Sequence, residues 1–328
     1  MKILLTGSSG WLGRHLYPLL ANRGYQPVGL DIAPGRFADS VASIADRERV
    51  FELFHAHQFI GVIHAAALHK PDIARYPPKA FIDVNLNGTL NLLEAAVQTG
   101  VKRFVFTSST SLMVSQRLRD ECFPEAVWLD EDTGPLEPRN IYGVTKLAAE
   151  GLCRTLAIEH RLPAVVLRTS RFFPEEDDTL KTLSGPNLKA NELLHRRASV
   201  GDIARAHLSA LEHASPRPFR LFLVSAPTPF SRNQARQLKE DAASLVSDLF
   251  PNAPAAYAKA GWSLPESIGR VYDGSRITRE LGFSYRTAFA DVLTALENDR
   301  ELPFVHDPSY VSPAWARTGP PAGPVHPA

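Results

Sequence analysis

The sequence is poor in cysteine and has almost no surplus of charge. Two cysteines in 328 residues, Cys122 and Cys153, cannot build a disulfide framework, and their spacing fits no zinc motif, so a reducing compartment and metal-free chemistry are expected. Lys and Arg number 36 against 35 Asp and Glu, a net charge of +1. Basic residues matched by acids along the chain leave no electrostatic stripe for nucleic acid. No apolar run approaches the about 18 residues that a membrane span needs. The start, MKILLTGSSG, turns glycine-rich after three consecutive apolar residues, too few for a signal-peptide core. These absences predict a cytoplasmic protein with neither nucleic-acid nor membrane partners.

What is present is an ordinary globular composition, 44% hydrophobic and 22% charged, on a chain long enough for two domains of about 100 to 200 residues. Residues 2–6 form a short apolar run ended by glycines. Leu12, Leu16, Leu19 and Leu20 then recur at helical spacing until Gly24. Further strands are predicted near 25–32, 59–67, 102–109 and 163–169, with helices over 81–100 and 141–160. Alternating strands and helices predict an α/β fold, a doubly wound parallel sheet with helices on both faces. Beyond Thr169 the regularity fades. FFPEEDD and SGPN read as loops, 201–214 as a helix, 219–225 as a strand, and 228–300 as two or three helices with turns. The expected organisation is a dinucleotide-binding domain over 1–170 that also recruits about 200–227. A smaller C-terminal α/β substrate domain covers 171–199 and 228–315, and a flexible tail covers 316–328.

Three features carry chemistry. Gly7-Ser8-Ser9-Gly10-Trp11-Leu12-Gly13 lies between a strand and a helix, where glycines allow a tight turn and a pyrophosphate can approach the helix N-terminus. Asp31 closes the second strand, placed to accept hydrogen bonds from both hydroxyls of an adenosine ribose and to repel a 2′-phosphate, which favours NAD over NADP. Arg36 nearby keeps a minor NADP reading open. Tyr142 and Lys146 are four apart on one helix face. A free phenol has a pKa of about 10, so its use as a base near neutrality needs a cation such as Lys146. Ser109 ends a strand at the sheet edge where open α/β folds bind ligands, although Ser108 and Thr110 are alternatives and such a cluster is more often a cap. His64 reads as a hydrogen-bonded core histidine, whereas His69 is a candidate to face substrate.

Taken together, TGSSGWLG at the start, Asp31, HAAA at 64–67, VNLNGT at 84–89, FTSS at 106–109 and YGVTK at 142–146 resemble the extended short-chain dehydrogenase/reductase family, in its NAD-dependent epimerase/dehydratase branch. The resemblance covers residues 1–170 and continues weakly through VGDIARAH at 200–207. It implies a Rossmann domain holding NAD through Gly7, Ser9, Gly10, Trp11, Leu12, Gly13, Asp31, Ser43, Ile44, Ala65, Ala66, Ala67 and Asn85. It also implies a catalytic set of Ser109, Tyr142 and Lys146, the last two touching the cofactor as well. His69, Ser109, Thr110 and Arg171 are expected on the substrate side. A homodimer is implied through the helices of 81–99 and 141–160, whose Leu86, Leu90, Leu93 and Val97 serve equally well as core.

Departures from the family pattern bear on substrate. Ser43 stands where an adenine-contacting Asp is usual. Thr110 and Ser111 follow Ser109 in place of the Asp-Glu pair of 4,6-dehydratases. Arg171 replaces the asparagine that helps hold a nucleotide diphosphate, and Arg196 and Arg197 are further candidates to bind a diphosphate or a carboxylate. The expected reaction is transient oxidation of a secondary hydroxyl in a sugar or nucleotide sugar, with epimerisation as outcome. The alternatives are an NAD-dependent dehydrogenase of a non-nucleotide sugar or hydroxy compound, and a non-catalytic dinucleotide sensor or scaffold.

Overall fold

The computed structural model describes residues 1–176, 182–213 and 217–313. Seven parallel strands form one sheet in the order β3-β2-β1-β4-β5-β7-β8. They are β1 (Lys2–Thr6), β2 (Gln26–Asp31), β3 (Ser40–Val41), β4 (Phe59–His64), β5 (Arg103–Ser109), β7 (Ala164–Thr169) and β8 (Phe219–Val224). Two further strands, β6 (Val127–Leu129) and β9 (Arg270–Tyr272), pair in parallel as a separate ribbon. The doubly wound fold is as expected, and β8 joins the sheet beside β7. The short strand β3 has no signal in its two residues and exists through its pairing with Leu30 and Asp31.

Both faces of the sheet are buried, which accounts for strands apolar at every position. Ile3, Leu5, Val105, Val165 and Leu167 point to one face, under the Trp11–Asn22 and Val200–Glu212 helices. Leu4, Phe104, Phe106, Ala164 and Val166 point to the other, under the Arg47–Ala56, Gly88–Gln98 and Ile141–Glu159 helices. Because every strand runs the same way, Thr6, Asp31, His64, Ser109 and Thr169 all end at one edge.

Several expected elements differ. The helix of 81–100 is instead an α turn (Pro78–Phe81), a π turn (Ile82–Asn87) and an α-helix (Gly88–Gln98). Such π turns recur at functional sites, and this one carries Asn85. SGPN opens the Gly185–Leu193 helix rather than a loop. Ser184 accepts a hydrogen bond from the Asn187 N–H, and Pro186 occupies the first turn, where a missing N–H costs nothing. Residues 228–300 hold five α-helices and a short 3-10 turn, because Ala-rich stretches such as Ala253–Ala260, which carries Tyr257, pack against Phe289 and Leu245. The expected tail of 316–328 lies outside the described residues.

Candidate active site

The glycine-rich turn is shaped by backbone contact. Gly7 adopts φ +72°, and a Cβ there would stand 2.8 Å from the Ala66 nitrogen, where the chain leaves β4. A Cβ on Gly13 would lie 2.2 Å from the Gly7 carbonyl oxygen. Only glycine lets β1, the turn and the helix approach so closely. The Trp11–Asn22 helix has no side-chain cap and no acid in its first turn. Its positive end is thus left for an external anion, as a dinucleotide phosphate requires. Asp31 Oδ2 accepts from the Ser9 N–H at 2.9 Å and Oδ1 from the Ala33 N–H at 2.8 Å, which fixes the carboxylate beside the turn. Burial pushes its pKa up, against the pull of those backbone donors.

Ile44 is core, packed against Gly88, and the Ser43 hydroxyl accepts from the Ala45 N–H at 3.1 Å within its own turn. Beyond β4, Ala65 and Ala66 are pinned to Thr6 through its carbonyl and its hydroxyl. Ala67 leads into the Asn85 contact.

Asn85 is 2% exposed and fully engaged. Its Oδ1 accepts from the Leu68 N–H at 2.8 Å, and its Nδ2 donates to the Leu68 carbonyl at 2.8 Å and to Thr145 Oγ1 at 3.1 Å. It therefore ties the loop after β4 to the helix of Tyr142 and Lys146 and acts as a positioning residue. His64 is the core histidine expected. Thr89 gives its hydroxyl proton to the Asn85 carbonyl, so it accepts from His64 Nε2, and Nδ1 accepts from Thr6. Complete burial, with Lys146 nearby, holds its pKa far below the ordinary value.

Ser109, Tyr142 and Lys146 meet at the carboxyl end of β5. Asn140 caps the Ile141–Glu159 helix by accepting from the Gly143 N–H at 3.0 Å, which aims its first turn at the strand end. The Tyr142 phenol is pushed up to about 12, first by burial and then by Asp72, with a hydrogen bond from Ser109 acting the other way. Lys146 Nζ donates to the Thr107 carbonyl at 2.8 Å and lies 4.6 Å from the Phe106 ring centre. Burial brings its pKa down to about 7, opposed by Cys153 and Glu150. Among the groups that set the phenol's pKa, Ser109 takes the place expected of Lys146. Ser109 is also the cap that such a cluster so often provides, accepting from the Ser111 N–H at 3.1 Å. Thr110 is packed inward, 4% exposed.

Beneath this set lies a buried ion pair that sequence reasoning missed. Glu150, one turn beyond Lys146, accepts from Ser108 Oγ at 2.6 Å and from Arg168 Nη2 at 2.7 Å. The i, i+4 spacing from Lys146 was its available signal. His69, expected on the substrate side, stacks on Phe173 with ring centres 5.3 Å apart, and Asp72 Oδ2 accepts from the His69 N–H at 2.7 Å. Two residues past β7, Arg171 reaches Glu192 at 3.0 Å, and Arg196 and Arg197 reach the same carboxylate at 3.1 and 2.8 Å. Arg270 stands beside them, its carbonyl bound to His195 Nδ1 at 2.8 Å. Three guanidinium groups, those of Arg171, Arg196 and Arg197, reach this one carboxylate, a cluster of basic side chains next to the β7 end.

Comparison with known proteins agrees with this architecture. The model of the NAD dependent epimerase/dehydratase family matches residues 3–186. The chain belongs to that family. NAD is therefore its dinucleotide. A UDP-glucose 4-epimerase of Rhizobium meliloti is 32% identical over 174 residues, 51% of this chain and 50% of the relative. The chain thus spans about half the length of the first relatives it matches. An L-arabinose 1-dehydrogenase (NAD(P)(+)) of Haloferax volcanii is 28% identical over 232 residues, 69% of this chain and 88% of that one. Among solved structures, the UDP-glucose 4-epimerase of Thermotoga maritima with UDP-glucose superposes with a TM-score of 0.65 at 23% identity, covering 90% of this family member and 98% of that chain. The likeness establishes a shared fold.

Proposed function

We propose that the protein is an NAD-dependent epimerase of an anionic sugar, foremost a nucleotide sugar, working by transient oxidation of a secondary hydroxyl. The observation that carries this reading is the convergence of Ser109, Tyr142 and Lys146 at one strand end, beside the arginine cluster that Arg171, Arg196 and Arg197 build around Glu192. Bound NAD supplies the site where hydride is held and returned. Ser109 holds the substrate oxygen, and Tyr142 takes and gives back the hydroxyl proton. With the phenol at about 12 and the amine at about 7, the resting side chain is protonated. Its release of a proton needs a nearby positive charge, which Lys146 provides from the next turn in the molecules that hold its proton, about half of them at pH 7. The arginines seat the substrate's phosphate or carboxylate.

A second reading is an NAD-dependent sugar dehydrogenase. It is favoured by the Haloferax relative, 88% of whose length is matched. The deciding experiment gives the protein NAD with UDP-hexoses, free hexuronates and neutral free sugars, and follows epimer by proton NMR and NADH by absorbance. Epimer without net NADH supports the proposal. Stoichiometric NADH with a ketone or lactone product replaces it by the dehydrogenase. Faster turnover of neutral than of anionic sugars removes the role given to the arginines.

We further propose a cytoplasmic homodimer. No described helix is long and apolar enough to cross a membrane. On the Ile141–Glu159 helix, Val144, Ala148, Gly151, Thr155 and Ile158 form an exposed, uncharged stripe, at the spacing a helix presents to a partner. Leu93 is core, whereas Leu86, Leu90 and Val97 are half-buried. Light scattering of the wild type and Ile158→Arg tests this. A monomeric wild type excludes it.

A further inference from the structure

We propose that residues 303–313 are a gate on the cofactor site, with Tyr310 standing at the N-terminus of the first helix where a dinucleotide phosphate docks, so that this segment and NAD exclude one another there. The inference rests on the reading of the glycine-rich turn as the NAD cradle.

The segment leaves the helical C-terminal core at Leu302 and Phe304, which pack half-buried against it. It then crosses to the sheet edge. The Asp307 N–H donates to the Pro174 carbonyl at 2.8 Å, and His306 meets Lys189 at 2.9 Å and Glu176 at 3.4 Å. Asp307 organises a tight turn, accepting from the Ser309 N–H at 3.0 Å and Ser309 Oγ at 2.6 Å, while its carbonyl accepts from the Tyr310 N–H at 3.1 Å. That turn delivers the Tyr310 ring edge-on to Trp11, with centres 5.3 Å apart and Arg14 5.4 Å from the tyrosine ring centre.

Trp11 is the first residue of the helix whose end is left without a side-chain cap. The Trp11 backbone N–H lies near enough to the Tyr310 phenol to pull its pKa down, although burial raises it to about 12. A neutral hydroxyl thus stands beside a donor that a phosphate oxygen would use, whereas the helix dipole favours the anion. The attachment is light. Val305 and Val311 are 46% and 53% exposed, and no apolar side chain of the segment beyond Phe304 is fully buried. Few buried contacts make a segment easy to release. A site closed for part of the time binds its ligand more weakly in proportion to the open fraction.

The test is calorimetric titration of NAD into the full chain, comparing wild type with Tyr310→Ala, Tyr310→Phe and Asp307→Ala, each checked for an unchanged cofactor-free melt. Tyr310→Ala is expected to bind NAD about fivefold or more tighter, the effect of opening a site that is closed most of the time. Asp307→Ala, which keeps the tyrosine and loosens its turn, moves in the same direction and serves if the first variant does not fold. Tyr310→Phe falls between, since its ring remains on Trp11 without the hydroxyl. Unchanged or weaker binding in Tyr310→Ala and Asp307→Ala overturns the gate. No saturable NAD binding by any of the proteins, wild type included, removes the cofactor reading and the gate with it.

Discussion

Arg168 closes a two-pronged ion pair on Glu150 inside the protein, its Nε 3.0 Å from Oε1 and its Nη2 2.7 Å from Oε2, with the two side chains 5% and 6% exposed. The Ser108 hydroxyl completes the carboxylate's partners. The pair joins β7 to the helix that carries Tyr142 and Lys146, one turn below Lys146. It therefore fixes how far that helix stands from β5.

Removing one partner of a buried pair strands the other charge without water, at a cost of about 3 to 5 kcal/mol. Glu150→Ala is thus expected to lower stability by about that amount in urea unfolding. Arg168→Met with Glu150→Leu, which removes both charges, should cost much less. Equal losses for the single and double variants would show that the pair contributes packing alone.

The roles proposed for Tyr142 and Lys146 make a kinetic prediction. Tyr142→Phe keeps the ring and the helix and removes only the hydroxyl, so turnover should fall by about 100-fold or more while NAD affinity stays within about twofold. Lys146→Ala should impair both. Tyr142→Phe retaining more than about a tenth of the wild-type rate excludes the phenol as base.

The sheet was legible because its signals are local. Runs such as FVF and VVL can hardly be anything but strands buried on two sides, and the glycine spacing at 7–13 marks a turn that only close backbone approach explains. Ser109, Tyr142 and Lys146 were legible through register, a strand end and an i, i+4 pair. What the sequence hid depends on distant partners. Glu150 and Arg168 look like surface charges until β7 pairs with β5. Asn85 reads as a ligand to cofactor until its amide is found spent on Leu68 and Thr145. The arginines at 171, 196 and 197 read as candidates for one anion, but the buried acid that gathers them, Glu192, carries no signal, and Arg270 lies some 70 residues away in a strand too short to signal itself. Tyr310 is invisible to every motif, because the role proposed for it comes from a segment that crosses from the C-terminal helices to the first helix.

Cofactor choice follows from Asp31. Its carboxylate is held in place by the Ser9 and Ala33 amides, so it cannot swing away from an added phosphate. NAD should bind at least about tenfold more tightly than NADP, a difference of about 1.4 kcal/mol. Asp31→Ala should shrink the preference to about threefold or less, since the repulsion goes while the ribose contacts are lost to both cofactors alike. Calorimetry with the two dinucleotides reads this directly. A wild type with equal affinities would transfer the ribose end to Arg36.

The buried Lys146 makes a prediction about stability and pH that needs no substrate. Its pKa falls from 10.5 to about 7 in the folded protein, chiefly through burial. Between those values the unfolded chain holds a proton that the folded chain does not, so stability contributed by this group rises with pH across the window. Below about 7 both states are protonated and the folded protein bears the full cost of a buried charge. Lys146→Met removes that cost. Relative to wild type the variant should therefore gain most at pH 6, and its advantage should shrink as pH rises from about 7 towards 10.5. Thermal melts of the two cofactor-free proteins across that range measure it. A difference between them that is flat with pH, or that widens at high pH, would mean that Lys146 keeps its ordinary proton affinity in the fold. The phenol of Tyr142 would then sit beside a permanent cation.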